Sequence, residues 1–340
     1  MKVLQVMMGR GNGGAETYFA DAVLALHASG LEQVVVSHPS SIRYAELAKA
    51  GVRLKLRNRL AALWPWPSLM IRHIIAREKP DVIHCWMRRA ASLVPASSIP
   101  TIGWFGGYYD PAHFSSCSHF IGVTRDIVQH MIAKGVPAER ASVVHTFPNL
   151  HPEPPLDRRE LATPHDAKVL LALSRLHPKK GLDTLIHALV DLPECVAWIA
   201  GDGPLENELQ DLAGTCGVAE RVRFLGWRTD RTALLRAADV CVLPSRYEPF
   251  GTVVVEAWAA GVPLVACAAA GPKAHVNDGV DGLVVPIDDV AALAAALRRV
   301  IDDSELRRSM IVAGRQTYLH GFTREASVRD LTAIYKRLAQ

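Results

Sequence analysis

Two strand-to-helix passages, far apart in the chain, constrain the fold more than any other feature. Lys2-Val-Leu-Gln-Val6 reads as a short buried strand running into the Gly-rich loop Gly9-Arg-Gly-Asn-Gly-Gly14. Ala15 to Leu26 then carries apolar residues at helical spacing and ends near Gly30. Lys168-Val-Leu-Leu-Ala-Leu173 is a second such strand, followed by a loop and the helical stretch Leu182 to Leu189. Between them, His151-Pro-Glu-Pro-Pro155 has the composition of a linker. Each half goes on to alternate short apolar runs with longer amphipathic ones. In the first half the runs are Gln33–Ser37, Asp81–His84, Pro100–Trp104 and His119–Val123; in the second, Val196–Ala200, Val222–Leu225, Val240–Leu243 and Pro263–Cys267. Such alternation implies parallel sheets covered by helices on both faces. The expected class is α/β, with two Rossmann-like domains facing a cleft and ligands at the carboxyl ends of the strands. The expected division is 1–155, then 156–321, with 322–340 a closing helix packed back toward the first domain.

At 340 residues the chain exceeds one ordinary core, and 49% hydrophobic against 21% charged residues supplies apolar material for two. That composition excludes a disordered or low-complexity function. Lys2 to Arg10 spans too little for an export signal. Val253 to Gly271 is apolar but contains Glu256, Gly261 and Pro263, which fits a buried helix, a turn and a strand better than a membrane span. The expectation is a soluble, cytoplasmic protein. Its six cysteines form no C-x-x-C pair, as reduced buried thiols would, and its fourteen histidines show no zinc-ligand spacing.

Charge is uneven. Residues 1–150 hold 16 Lys and Arg against 9 Asp and Glu, a net +7, which leaves −3 for residues 151–340. Val52-Arg-Leu-Lys-Leu-Arg-Asn-Arg59 alternates leucines with cations, and Trp64-Pro-Trp66 follows. A strand with a solvated basic face explains this pattern, and so does a patch resting on anionic lipid or on a phosphorylated acceptor. No nucleic-acid-binding module is present.

The chemistry-bearing residues fall into a few loops. Gly11-Asn-Gly-Gly-Ala-Glu16 opens the first helix, where glycines and free N–H groups suit a phosphate, although the spacing is not the G-x-G-x-x-G fingerprint. Arg175 and Lys180, at the end of the second domain's first strand, suit a diphosphate that gains charge as its bond to carbon breaks. Gly201-Asp-Gly-Pro204 reads as a turn. In Pro244 to Gly261, Glu248 precedes a Pro-Phe-Gly-Thr loop and Glu256 follows. Three valines favour a strand over Thr252–Trp258. The alternative is a helix from near Gly251, capped by Thr252 and ended by Gly261, whose first N–H groups (Gly251, Thr252, Val253 and Val254) meet a diphosphate. Glu256 then accepts from ribose hydroxyls and Glu248 from those of a sugar.

Taken together, G-G-A-E, R-L-x-x-x-K-G, G-D-G-P, E-x₇-E within P-S-x-x-E-x-F-G, E-A-x-A-x-G-x-P-V/L-V and the tail Asn277–Pro286 resemble the family-4 retaining glycosyltransferases. The match is dense from Val169 to Asp288 and patchier before it. The resemblance implies the GT-B fold, retention of anomeric configuration, and a nucleotide-sugar donor held mainly by the second domain. It places Arg175 and Lys180 on the diphosphate, Glu256 on the ribose, Glu248 on the donor sugar as the catalytic residue, and Gly13 and Gly14 over the phosphates. No cofactor and no metal are implied, in keeping with the lack of a D-x-D carboxylate pair. The donor expected is a UDP-sugar ahead of a GDP- or ADP-sugar.

Where many relatives carry a histidine after the strand Thr101–Phe105, this chain has Gly106-Gly-Tyr-Tyr-Asp110, a variant similar to that of bacterial transferases building lipopolysaccharide core or other surface glycans. Tyr108, Tyr109 and Asp110, with Asn12 and Arg88, are the candidate acceptor residues. Ala274 stands where relatives usually have Glu. The partners implied are the donor, a glycan or glycolipid acceptor, and an anionic membrane touched peripherally by the basic half. A nucleotide-sugar binder without turnover and a nicotinamide oxidoreductase are the competing classes.

Overall fold

The structure, a computed structural model, describes residues 1–9, 13–38, 43–55 and 67–340. The chain divides into two compact units: Met1–Phe147 together with Arg324–Gln340, and Pro148–Thr323. The division falls between Phe147 and Pro148 rather than after Pro155. The proline-rich stretch belongs to the second unit, where Glu153 O accepts from Arg236 Nη1 at 2.8 Å and Leu156 N donates to Ala233 O.

In the first unit β1 (Lys2–Met7), β2 (Glu32–Ser37), β3 (Arg53–Lys55), β4 (Val82–Trp86), β5 (Thr101–Phe105), β6 (His119–Gly122) and β7 (Ala141–Val143) form one parallel sheet, in the order β3-β2-β1-β4-β5-β6-β7. In the second, β8 (Lys168–Leu173), β9 (Cys195–Ala200), β10 (Val222–Phe224), β11 (Val240–Leu243), β12 (Leu264–Cys267) and β13 (Leu283–Val285) run β10-β9-β8-β11-β12-β13. The central strands are buried along almost their whole length, as sheets covered on both faces must be. One core shows how: Leu170, Ile199 and Val265 on the sheet pack with Leu185, Leu209 and Leu297 from covering helices.

Both sheets reverse their strand order at the pairs β1/β4 and β8/β11. Loops leaving neighbouring strands diverge there, which opens a crevice at the carboxyl ends. The Gly-rich loop follows β1 and Met87–Arg89 follows β4; Arg175–Lys180 follows β8 and Ser245–Thr252 follows β11. Both candidate sites thus lie where the topology leaves space.

The closing helix, Arg324–Leu338, belongs to the first unit. Its Tyr335 is fully buried, with the hydroxyl 2.7 Å from His84 Nδ1 on β4. Ser327 meets the Tyr18 hydroxyl at 2.8 Å. Among the described residues no helix is long and apolar enough to cross a membrane.

The basic stretch is partly spoken for. Arg53 Nη2 and Lys55 Nζ lie 3.0 and 2.7 Å from the buried carboxylate of Glu78. The Lys55 hydrogen bond holds that carboxyl below its usual range. Arg53 and Lys55 therefore serve as cross-links of the fold. Arg57, Arg59, Trp64 and Trp66 lie outside the described residues.

Candidate active site

In the second unit, the loop after β8 is stitched to the loop after β9: Leu176 N donates to Asp202 O at 2.9 Å, and Leu205 N to Leu176 O at 3.2 Å. Gly201-Asp-Gly-Pro204 is thus a turn that fixes its neighbour. On that fixed loop Arg175 is exposed, with no ion pair among the described residues. Lys180 closes a short 3-10 turn, Pro178–Lys180, and its ammonium donates to Glu248 Oε2. Both side chains are mostly buried, at 18% and 16% exposure. Lys179 lies over the Tyr247 ring at 4.8 Å.

Glu248 is anchored through its backbone, whose carbonyl accepts from Gly271 N at 2.7 Å. Two residues earlier, Arg246 reaches Asp183 at 2.6 Å and Asp288 at 2.7 Å, so the loop is clamped from both sides. Thr252–Ala260 is a helix, not a strand. Its N-cap is Gly251 (φ 87°) rather than Thr252, and Gly261 (φ 73°) ends it. Left-handed glycines at both ends define the helix, and burial of Val254 and Val255 outweighs the β preference of valine. Gly251, exposed Thr252 and half-buried Val253 form its first turn.

Glu256 lies one turn further in and is fully buried. Arg231, the first residue of the helix Arg231–Ala237, places Nη1 2.5 Å from Glu256 Oε1. Sequence reasoning passed over this arginine. The cost of burying a carboxylate demands a cation, but nothing local marks one 25 positions away. The tail Asn277–Pro286 proves structural: buried Asp281 accepts from Asn277 N at 2.8 Å and from Thr317 Oγ1 at 2.9 Å.

Gly13 and Gly14 belong to the first unit, as N-cap and first residue of the helix Gly14–Ala28. Asn12 lies outside the described residues. Among the aromatic candidates, Tyr108 donates its hydroxyl to Asp126, and Asp110 caps a short 3-10 turn by accepting from Ala112 N at 2.9 Å. Tyr109 and Arg88 instead line a cavity of about 340 Å³ beside the end of β4.

Comparison with known proteins now decides the family. Residues 12–151 match the model of Glycosyltransferase Family 4, and residues 155–317 that of Glycosyl transferases group 1. Over 331 residues the chain is 34% identical to the lipopolysaccharide core biosynthesis glycosyltransferase LpsE of Rhizobium meliloti, covering 96% of each. The chain belongs to glycosyltransferase family 4. It is an enzyme of that class, and the dehydrogenase alternative falls away. LpsD of the same organism is 32% identical over 337 residues, covering 96% of this glycosyltransferase and 95% of LpsD. Among solved structures, Anabaena Alr3699/HepE in complex with UDP and glucose superposes with a TM-score of 0.81 at 21% identity, covering 99% of both chains. A glycosyltransferase from Rickettsia africae gives 0.82 at 19%, covering 100% of this chain and 98% of that one. The fold is GT-B, each unit Rossmann-like.

Proposed function

We propose that this glycosyltransferase moves a sugar from a UDP-sugar to a glycan or lipid-linked acceptor of the lipopolysaccharide core, with retention and without a metal ion. The observation that carries the reading is the convergence of Lys180, Glu248 and the helix start at Gly251 on the diverging loops after β8 and β11. Arg175 and Lys180 take the diphosphate, whose charge grows as the bond to the sugar breaks, so cationic side chains fill the role a metal would otherwise have. Glu248 holds hydroxyls of the transferred sugar, and Lys180 positions it until the diphosphate arrives. Glu256, oriented by Arg231, accepts from the ribose.

The names of LpsE and LpsD support the lipopolysaccharide core as destination, and the UDP and glucose complex of HepE supports the donor class. The acceptor falls to the first unit, in keeping with the +7 charge of residues 1–150. A cytoplasmic protein that touches the inner face of the membrane fits that charge, with Arg53 and Lys55 discounted because Glu78 pairs them. Thermal shifts with UDP, GDP, ADP and NADH, each with and without EDTA, test the reading. Stabilisation by UDP that survives EDTA is expected. Stabilisation by NADH alone, or by UDP only when metal is present, overturns it.

A further inference from the structure

Lys180 ends a single 3-10 turn and Glu248 stands on irregular backbone, so their contact requires the loops after β8 and β11 to keep one spacing. Groups carried by loops are held less precisely than groups on helices or strands. A displacement of about 1 Å at a reacting centre can cost about a hundredfold in rate. Something must therefore hold the two loops together.

Arg246 makes that connection from both its main chain and its side chain. Its backbone N–H donates to Lys179 O at 2.9 Å, and that of Tyr247 donates to the same carbonyl at 3.1 Å. The guanidinium donates through Nη1 to Pro178 O at 2.7 Å, so it grips the turn that ends in Lys180. A fork to Asp183, Nη1 to Oδ1 at 2.9 Å and Nη2 to Oδ2 at 2.6 Å, ties it to the first turn of the helix Leu182–Ala188. Its Nε donates to Asp288 Oδ1 at 2.7 Å, beyond β13. Only a planar group with several fixed donors satisfies three such partners at once, and a lysine ammonium does not.

The surrounding backbone is equally committed. A Cβ added at Gly181 (φ 61°) would stand 2.1 Å from Pro244 O, so the loops touch through main chain there. Asp288 itself adopts φ 61°, a conformation that a residue with a Cβ holds only at an energetic cost. Charge shows which role Arg246 fills. Two carboxylates, Asp183 and Asp288, face one guanidinium, so the trio has an excess of negative charge and offers no net cation to a phosphate.

We infer that Arg246 is a positioning residue for sugar transfer, one that sets the spacing of Lys180 and Glu248 and acts on the donor diphosphate only through Lys180. The inference rests on the donor role proposed for those two residues.

The test is calorimetric titration of the full chain with UDP and with uridine, for the wild type, Arg246→Gln, Lys180→Gln, the double variant and Asp183→Asn. Arg246→Gln and Lys180→Gln are each expected to weaken UDP about tenfold and to leave uridine within about twofold. The double variant should bind UDP no more weakly than Lys180→Gln alone, because an absent side chain cannot be misplaced. Asp183→Asn decides by sign. A purely Coulombic effect makes UDP bind more tightly when a nearby negative charge is removed. Loss of the fork instead weakens UDP, by about threefold, and this partly exposed position keeps the test available if Arg246→Gln does not fold. Unchanged UDP affinity in Arg246→Gln, losses that add in full in the double variant, or tighter UDP binding in Asp183→Asn would each overturn the inference. If Lys180→Gln weakens UDP and Arg246→Gln does not, this inference alone fails. If Lys180→Gln binds UDP as the wild type does, the donor reading fails and takes the inference with it.

Discussion

Arg231 and Glu256 form a charge pair at 2.5 Å, with the carboxylate 1% exposed and the guanidinium 35% exposed. The pair joins the helices Arg231–Ala237 and Thr252–Ala260, so it both holds the second unit together and orients a candidate ribose ligand. Arg231→Gln leaves a buried carboxylate without its cation. Stability in urea is expected to drop by about 2 kcal/mol, at the low end for a broken buried pair because Arg231 is partly solvated. Affinity for UDP falls with it. If both quantities match the wild type, the pair has neither role.

Glu248→Gln separates chemistry from folding. The side chain keeps its size and its place beside Lys180 but loses charge. The variant is expected to fold and to bind UDP with unchanged or slightly raised affinity, because Lys180 is released from its partner. Transfer falls by about two orders of magnitude, the range seen when a preorganised polar group is removed from a reacting centre. Full activity in this variant would remove Glu248 from the mechanism.

Arg175→Ala tests the exposed cation on the β8 loop. Loss of one charge-assisted contact should weaken UDP binding about tenfold, with a smaller effect on uridine. An identical loss for both ligands would mean that Arg175 shapes the loop instead of meeting the phosphates.

Much of this arrangement was legible in the sequence, and the rest fails for definite reasons. Strands such as Val240–Leu243 are unbroken apolar runs, and a strand buried on both faces has no other way to look. Ala141–Val143 is an edge strand of three residues whose half-buried positions carry no apolar run. The helix Thr252–Ala260 was ambiguous because valine content and flanking glycines point opposite ways. Its cap fell one residue early, since a left-handed glycine served where a threonine side chain was expected. The Lys180 and Glu248 contact joins residues 68 apart, and only the parallel pairing of β8 with β11 brings their loops together. Periodicity reports local burial and is silent about such pairs.

Gly251→Ala probes that cap directly. With φ at 87°, an added Cβ is strained whatever space surrounds it, and the cost is about 1–2 kcal/mol. Because Gly251 connects the Glu248 loop to the helix, donor affinity is expected to fall by more than overall stability does. UDP titration alongside urea denaturation distinguishes the two effects. A stability loss with unaltered UDP affinity would make Gly251 a helix cap and nothing more.

Acid sensitivity follows from His84. Burial pushes its imidazole down to about 3, aided by nearby His119, which burial likewise lowers to about 4. In the unfolded chain His84 returns to its ordinary value of about 6.5. As pH falls below that value the unfolded state takes up the proton first, so the stability His84 contributes is complete above it and is lost progressively toward 3. The loss from His84 alone is on the order of 3 kcal/mol by pH ~4. His84→Asn keeps a polar group for the Tyr335 hydroxyl and removes the titration. The variant should be less stable at neutral pH and show a visibly shallower decline in acid, read as the urea midpoint of Trp fluorescence from pH ~7 to ~4. Parallel declines in the two proteins would mean that the buried imidazole is protonated in the folded state and that the first unit opens to water around β4.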